Sequence, residues 1–184
     1  MKERKKNVEK IAVFDLDDTL YMGNSHIEIL CKYYKTKLFK SIFFKIIGKL
    51  FPKFERKILN YLYQKIGVSV RENFTLDFNE DVLNILQEKK REEYLILIVS
   101  NAPEELLINA AKNLNVEYLS APPYLKGDVL KLKYSYKYLF VCTDNKSDLD
   151  LLLLSDDAVI TCKNRHKPFF EKKLKNKKYY FLEG

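Results

Sequence analysis

Cysteine is scarce and unpatterned: Cys31, Cys142 and Cys162 are an odd number without a C-x-x-C pair, and the chain has only two histidines, His26 and His166. A disulfide scaffold and a zinc module are thereby excluded, since the first needs paired cysteines and the second a cluster of thiol and imidazole ligands. Glycine and proline number five each and tryptophan is absent, which argues against collagen-like, low-complexity and disordered sequence. Long apolar runs are missing too. Leu95–Val99, Ile42–Phe44 and Leu151–Leu154 all fall far short of the ~18–20 residues that a membrane span requires. The opening segment MKERKKNVEK lacks the apolar stretch and small-residue cleavage site of a secretory signal, so a reducing cytoplasm is the expected location.

What is present is a globular composition. The 184 residues are 47% hydrophobic and 32% charged, enough for one domain, or one domain with an insertion. The net charge of +8 is unevenly placed: residues 24–67 carry ten Lys/Arg against Glu28 and Glu55, and residues 1–10 and 163–184 are also basic, so the remainder is acidic. A segment so dominated by one sign reads as a structural unit of its own.

Ile11–Phe14, Tyr94–Val99 and Tyr138–Cys142 are continuous apolar runs, the pattern of strands buried on both faces of a parallel sheet. Val116–Leu119 and Ala158–Thr161 are weaker strands of the same kind, and Tyr179–Leu182 is a candidate edge. Helical periodicity lies between them, at Val82, Leu83, Ile85 and Leu86 and at Leu106, Leu107, Ala110, Ala111 and Leu114. Alternating strands and helices predict an open, Rossmann-like parallel α/β sheet flanked by helices. The alternation stops between Ser25 and Gly67, where two or three amphipathic helices with breaks at Gly48, Pro52 and Gly67 read as a helical insertion. The expected division is a discontinuous α/β core of residues 1–20 and 75–184 and a helical cap of residues 21–74.

Ligands in such sheets sit beyond the carboxyl ends of the strands, and three polar residues each follow a predicted strand: Asp15, Ser100 and Asp144. Asp15 and Asp17 stand two apart, so an extended turn would bring both carboxylates to one crevice. One ionised carboxylate can then act as nucleophile while a second, kept protonated, serves as acid and later as base. Close carboxylates repel, so a hard divalent cation is expected beside them, with Asp144 and Asp148 as further acidic groups. The Ser100 hydroxyl and the following amide of Asn101 can donate to a phosphate, and a lysine would complete the charge balance.

The set Asp15-x-Asp17-x-Thr19, Ser100, a lysine in Tyr124-Leu125-Lys126-Gly127, and Asp144-x3-Asp148 resembles the four motifs of the haloacid dehalogenase superfamily. Within it, the chain looks most like the phosphoserine-phosphatase-like branch with a type-1 helical cap. The resemblance implies that Asp15 is a nucleophile forming an aspartyl-phosphate and Asp17 the general acid/base. It also implies that Thr19, Ser100, Asn101 and Lys126 serve the turn and the substrate phosphate. Mg²⁺ would be held by Asp15, Asp17 through its carbonyl, Asp144 and Asp148. Lys126 stands 18 residues before Asp144, a short interval for the family, and Lys131 and Lys133 are alternatives. The fourth motif reads Thr143-Asp144-Asn145 where many relatives have glycine, aspartate and serine.

The implied activity is Mg²⁺-dependent hydrolysis of a small phosphorylated substrate. The alternatives are a phosphotransferase or phosphomutase of the same superfamily, or a non-catalytic binding module. Lysines interleaved with aromatics in 24–67 also suggest peripheral contact with an anionic membrane, with Ser41–Phe51 the suspected segment. Nucleic acid is not an expected partner, because no binding motif accompanies the basic charge.

Overall fold

The apolar run Ile11–Phe14 occupies the middle of a parallel sheet, and its alternate residues go to opposite faces. In this computed structural model, which describes residues 5–182, Ile11 and Val13 pack into one hydrophobic cluster, whereas Ala12 and Phe14 pack into another. Because successive side chains of a strand point to opposite sides, a strand covered on both faces has to be apolar at every position. The terminal residues 1–4 and 183–184, which the expected core segments include, lie outside the described residues.

The strands are β1 (Lys6–Phe14), β2 (Leu95–Ser100), β3 (Glu117–Ser120), β4 (Tyr134–Thr143), β5 (Asp157–Ile160) and β6 (Lys178–Phe181). Their order is β3-β2-β1-β4-β5-β6, and every neighbouring pair is parallel. The expected α/β architecture is therefore present, with Lys178–Phe181 as the edge. Helices α5 (Glu80–Arg91) and α6 (Glu104–Leu114) cover one face through Val82, Leu86, Leu107, Ala110 and Ala111. Helices α7 (Lys126–Lys133), α8 (Leu149–Leu154) and α9 (Lys167–Lys173) cover the other through Leu130, Leu151, Leu152 and Phe170. Each of the Val, Leu and Phe side chains among these contributes on the order of 1.5–3 kcal/mol by leaving water, and each alanine less.

Two strands begin earlier than their apolar runs. β1 extends back to Lys6 and β4 to Tyr134, pairing Lys6 with Tyr134 and Val8 with Tyr136. The extension interleaves exposed residues with buried or partly buried ones, so it carries no continuous apolar signal. The backbone ladder with the partner strand forms it.

Between β1 and α5 lie α1 (Ser25–Tyr33), α2 (Ile42–Leu50), α3 (Pro52–Gln64) and α4 (Val68–Glu72), with a short 3-10 turn at Leu38–Lys40. Asn24 and Ser41 cap α1 and α2 by accepting from the amides of Ile27 at 3.0 Å and Phe44 at 3.2 Å, satisfying donors that a helix start leaves open. Pro52 opens α3, where its missing N–H costs nothing. Gly48, expected as a break, instead lies inside α2, where a side chain would collide with the Glu55 carboxylate of α3. It permits close approach of the two helices. Ile29, Leu30, Phe39, Phe44, Leu59, Tyr63, Ile66 and Phe74 form a third cluster, which reaches the core through Leu106 of α6.

Candidate active site

Three adjacent strands deliver polar residues to one edge of the sheet. Phe14 is level with Ile98 on β2 and Cys142 on β4, so Asp15, Ser100 and Asp144 emerge at the carboxyl ends of β1, β2 and β4. The chain runs from β1 to one side of the sheet through β2 and β3, then crosses to β4 on the other. The crevice lies where the strand order reverses, the usual ligand position of open α/β sheets.

The backbone after β1 keeps both leading carboxylates in play. Asp15 (φ −72°, ψ 157°) and Asp17 (φ −71°, ψ 135°) are extended, while the intervening Leu16 is fully buried. Asp18 then adopts the left-handed conformation at φ 56°, which aspartate tolerates better than most residues. A widened turn follows, closed by the Tyr21 amide donating to the Leu16 carbonyl at 2.8 Å. Asp15 and Asp17 both line a cleft of about 960 Å³, together with Ser100, Asn101, Lys126 and Asp144.

Of the three candidate lysines, the structure brings Lys126 to Asp15. Its Nζ donates to Asp15 Oδ1 at 2.7 Å and to Asp148 Oδ2 at 2.7 Å, and the residue is 2% exposed. Lys131 and Lys133 lie further along α7, and neither lines this cleft. Burial disfavours the Lys126 ammonium, but the charges of Asp15 and Asp148 outweigh it and leave its pKa raised. Asp148 is itself raised by burial and by Asp15, against the pull of Lys126. One cation therefore stands between two anions, with negative charge in excess.

Asp148 is fully buried and held on both oxygens. Thr143 Oγ1 donates to Oδ2 at 2.8 Å and Ser147 Oγ to Oδ1 at 3.3 Å. This places Asp148 behind Lys126, as its anchor. Asp144 faces the cleft, bonded to Thr19: the Thr19 hydroxyl accepts from the Asp144 amide at 3.0 Å and donates to Asp144 Oδ1 at 3.3 Å. Thr19 is fully buried and does not line the cleft. Ser100 is buried at the end of β2 with its hydroxyl accepting from the Ala102 amide at 3.2 Å, and Asn101 is exposed beside it.

The electrostatics separate the carboxyls. Burial pushes Asp17 up to about 6, with the charges of Asp15 and Asp18 adding to the effect and hydrogen bonding from Ser25 opposing it. The Ser25 amide donates to Asp17 Oδ1 at 2.8 Å. Burial, Asp15 and Asp18 together push Asp144 up to about 7. Among the described residues no group of three or more His, Cys, Asp or Glu side chains forms a ready metal cluster. The donor set nevertheless suits Mg²⁺, which is typically bound by one or two carboxylates and keeps several waters. Two facing carboxylates, Asp15 and Asp144, with charge in excess of what Lys126 neutralises, are the observation that makes the fit.

The far wall of the cleft comes from the inserted helices, through His26, Ile27, Arg56, Leu59, Asn60, Tyr63 and Gln64. His26 packs edge-on against Tyr63 with ring centroids 5.1 Å apart, and its Nε2 is buried without a hydrogen-bond partner. Burial pushes its imidazole down to about 4, so it is neutral near pH 7. A second network went unread in the sequence. Arg71 Nη1 pairs with Glu105 Oε1 at 2.5 Å, its guanidinium lies 5.2 Å from the Tyr63 ring centroid, and the Tyr63 hydroxyl donates to Glu105 Oε2 at 3.2 Å. It ties α3 and α4 to the start of α6, and no local spacing announces it.

No family model and no curated protein matches the sequence. Solved structures do match by shape. A phosphoserine phosphatase carrying an analogue of its phospho-aspartyl intermediate aligns with a TM-score of 0.68 at 15% identity, over 98% of this chain and 95% of that one. A phosphoserine phosphohydrolase-like protein from Francisella tularensis aligns with a TM-score of 0.62 at 14% identity, over 94% of both chains. A haloacid dehalogenase family hydrolase from Salmonella enterica aligns with a TM-score of 0.58 at 15% identity, over 87% of this chain and 65% of that one. The likeness is one of fold: the chain has the architecture of the haloacid dehalogenase-type hydrolases.

Proposed function

We propose that this chain is a Mg²⁺-dependent phosphomonoesterase that works through an aspartyl-phosphate on Asp15, with residues 21–74 as its cap. One observation carries the reading. Buried Lys126 bridges Asp15 and Asp148 at the carboxyl ends of β1 and β4, and two positions after Asp15 stands a third carboxyl, Asp17, pushed up to about 6. The fold neighbour with a phospho-aspartyl analogue supports the same chemistry.

In the first step an oxygen of Asp15 attacks phosphorus, the P–O bond to the alcohol breaks, and Asp17 delivers its proton to the departing alkoxide. In the second step Asp17 takes a proton from water, the water oxygen attacks phosphorus, and the aspartyl–phosphate bond breaks to release phosphate and restore Asp15. Lys126 and the Ser100 and Asn101 donors offset charge on the phosphoryl oxygens. Asp15, Asp144 and the Asp17 carbonyl would hold Mg²⁺, which would supply Lewis-acid charge neutralisation. Asp148 orients Lys126, and Thr19 orients Asp144. Three free cysteines, two of them buried, suit a cytoplasmic setting.

The test is phosphate release from a panel of phosphomonoesters, with Mg²⁺ or EDTA, by the parent and Asp15→Asn. Metal-dependent release that the variant loses is expected. Full turnover by Asp15→Asn would overturn the mechanism.

A further inference from the structure

The loop and helices around residues 41–54 carry apolar side chains that nothing among the described residues covers. Ile42, Phe43, Ile46 and Leu50 are 77%, 67%, 51% and 65% exposed, and Phe51 and Phe54 are 61% and 58% exposed. Positions 42, 43, 46 and 50 share one side of α2 by helical spacing. The opposite side is anchored by Phe44, which packs edge-on against Phe39 at 5.4 Å in the cluster of the inserted helices. This short helix is thus apolar both inward and outward. Single exposed apolar residues are ordinary on a protein surface, but six between residues 42 and 54, across a helix and the turn after it, call for an occupant.

Charge indicates which one. Lys45, Lys49, Lys53 and Lys57 accompany these residues, and the basic side chains of 24–67 make one internal ion pair among the described residues, Lys40 with Glu28 at 2.6 Å. The remaining excess repels a second copy of the same surface and attracts an anionic one. All six apolar residues are more than half exposed, so they stand out from the surface. Protruding apolar side chains beside long lysines fit an interface in which methylenes and rings enter the acyl boundary and ammonium groups stay at the headgroups.

We propose that the outer face of α2, with Phe51 and Phe54, docks this protein on an anionic lipid bilayer. No helix among the described residues is long and apolar enough to cross a membrane, and the proposed contact is a peripheral one. α3 lines the active-site cleft with Arg56, Leu59, Asn60 and Tyr63, a different side from Phe54. Docking therefore leaves that wall free.

The experiment is flotation of the full chain with vesicles of phosphatidylcholine alone and of phosphatidylcholine mixed with phosphatidylglycerol, at low and physiological salt. Binding to the mixed vesicles only, weakening with salt, is expected. The double variant F43S/L50S should reduce the bound fraction by at least about tenfold, with an unchanged melting temperature because both residues face solvent. K45Q/K49Q should also reduce it, by on the order of fivefold for each lysine removed. Failure to float with the mixed vesicles, or undiminished flotation of F43S/L50S, would overturn the proposal. So would a concentration-dependent dimer of the parent that F43S/L50S abolishes, because the face would then belong to a second copy. None of these readouts depends on phosphatase activity.

Discussion

The sheet core and the inserted helices treat apolar side chains in opposite ways. In the sheet, Ile11, Ala12, Phe14, Leu97, Val99, Leu139 and Val141 are all fully buried, packed from both faces. In the insertion, one cluster built around Ile29, Leu30 and Tyr63 is buried while the outer face of α2 stays in water. Burial sets local stability, so the core should open only in global unfolding and the insertion more readily. The proposed chemistry is divided along the same line. Asp15, Asp144, Asp148 and Lys126 stand on the rigid part, whereas the wall that would select the substrate stands on the softer part.

The largest effect expected from breaking that division is in the core. Asp17→Asn should lower phosphate release by about 10²–10⁴-fold, while leaving the melting temperature at pH 8 equal or higher, because burial penalises the carboxylate that is removed. A variant that keeps the parent rate would take Asp17 out of the chemistry. Lys126→Met should be costly to stability as well. It strands Asp15 and Asp148 as buried anions, at about 3–5 kcal/mol, or roughly 10 °C in melting temperature for a chain of this size. An unchanged melting temperature would show that the ion triad is not formed.

The sheet was legible because two-sided burial forces continuous apolar runs, and those runs also fixed where Asp15, Ser100 and Asp144 emerge. The motif residues followed from those positions. What sequence could not decide was direction in space. Asp148 and Thr19 have the right chemistry for a cleft, but the fold turns Asp148 toward Lys126 and Thr19 toward Asp144. That Lys126 lies beside Asp15 while Lys131 and Lys133 do not line the cleft depends on how α7 is placed. The Arg71–Glu105 pair joins residues 34 apart, and no periodicity links them.

The acidic side of the cleft gives a pH test of intermediate size. Asp144 is raised to about 7 from 3.8 in the folded protein, so between those values the native state holds a proton that the unfolded chain has released. Its contribution to stability is present below about pH 4 and lost as pH rises through about 7. In metal-free protein, the melting temperature of the parent relative to Asp144→Asn should therefore fall across that window. Added Mg²⁺ should restore the parent alone. A pH-independent difference would mean that Asp144 is not buried beside Asp15.

The smallest effect belongs to the seam between the two regions. Arg71→Met removes the pairing of Arg71 with Glu105 but leaves Glu105 partly in solvent, so the stability cost should be about 1 kcal/mol, well below that of Lys126→Met. Its signature is positional. Hydrogen exchange should quicken in α3 and α4 while β1, β2 and β4 stay protected, and KM for the phosphomonoester should rise more than kcat falls, since Arg71 holds Tyr63 against the cleft and touches none of the reacting groups. Exchange that quickens equally in the strands would show that the insertion and the sheet unfold as one unit, and the contrast between a rigid catalytic part and a softer selecting part would be lost.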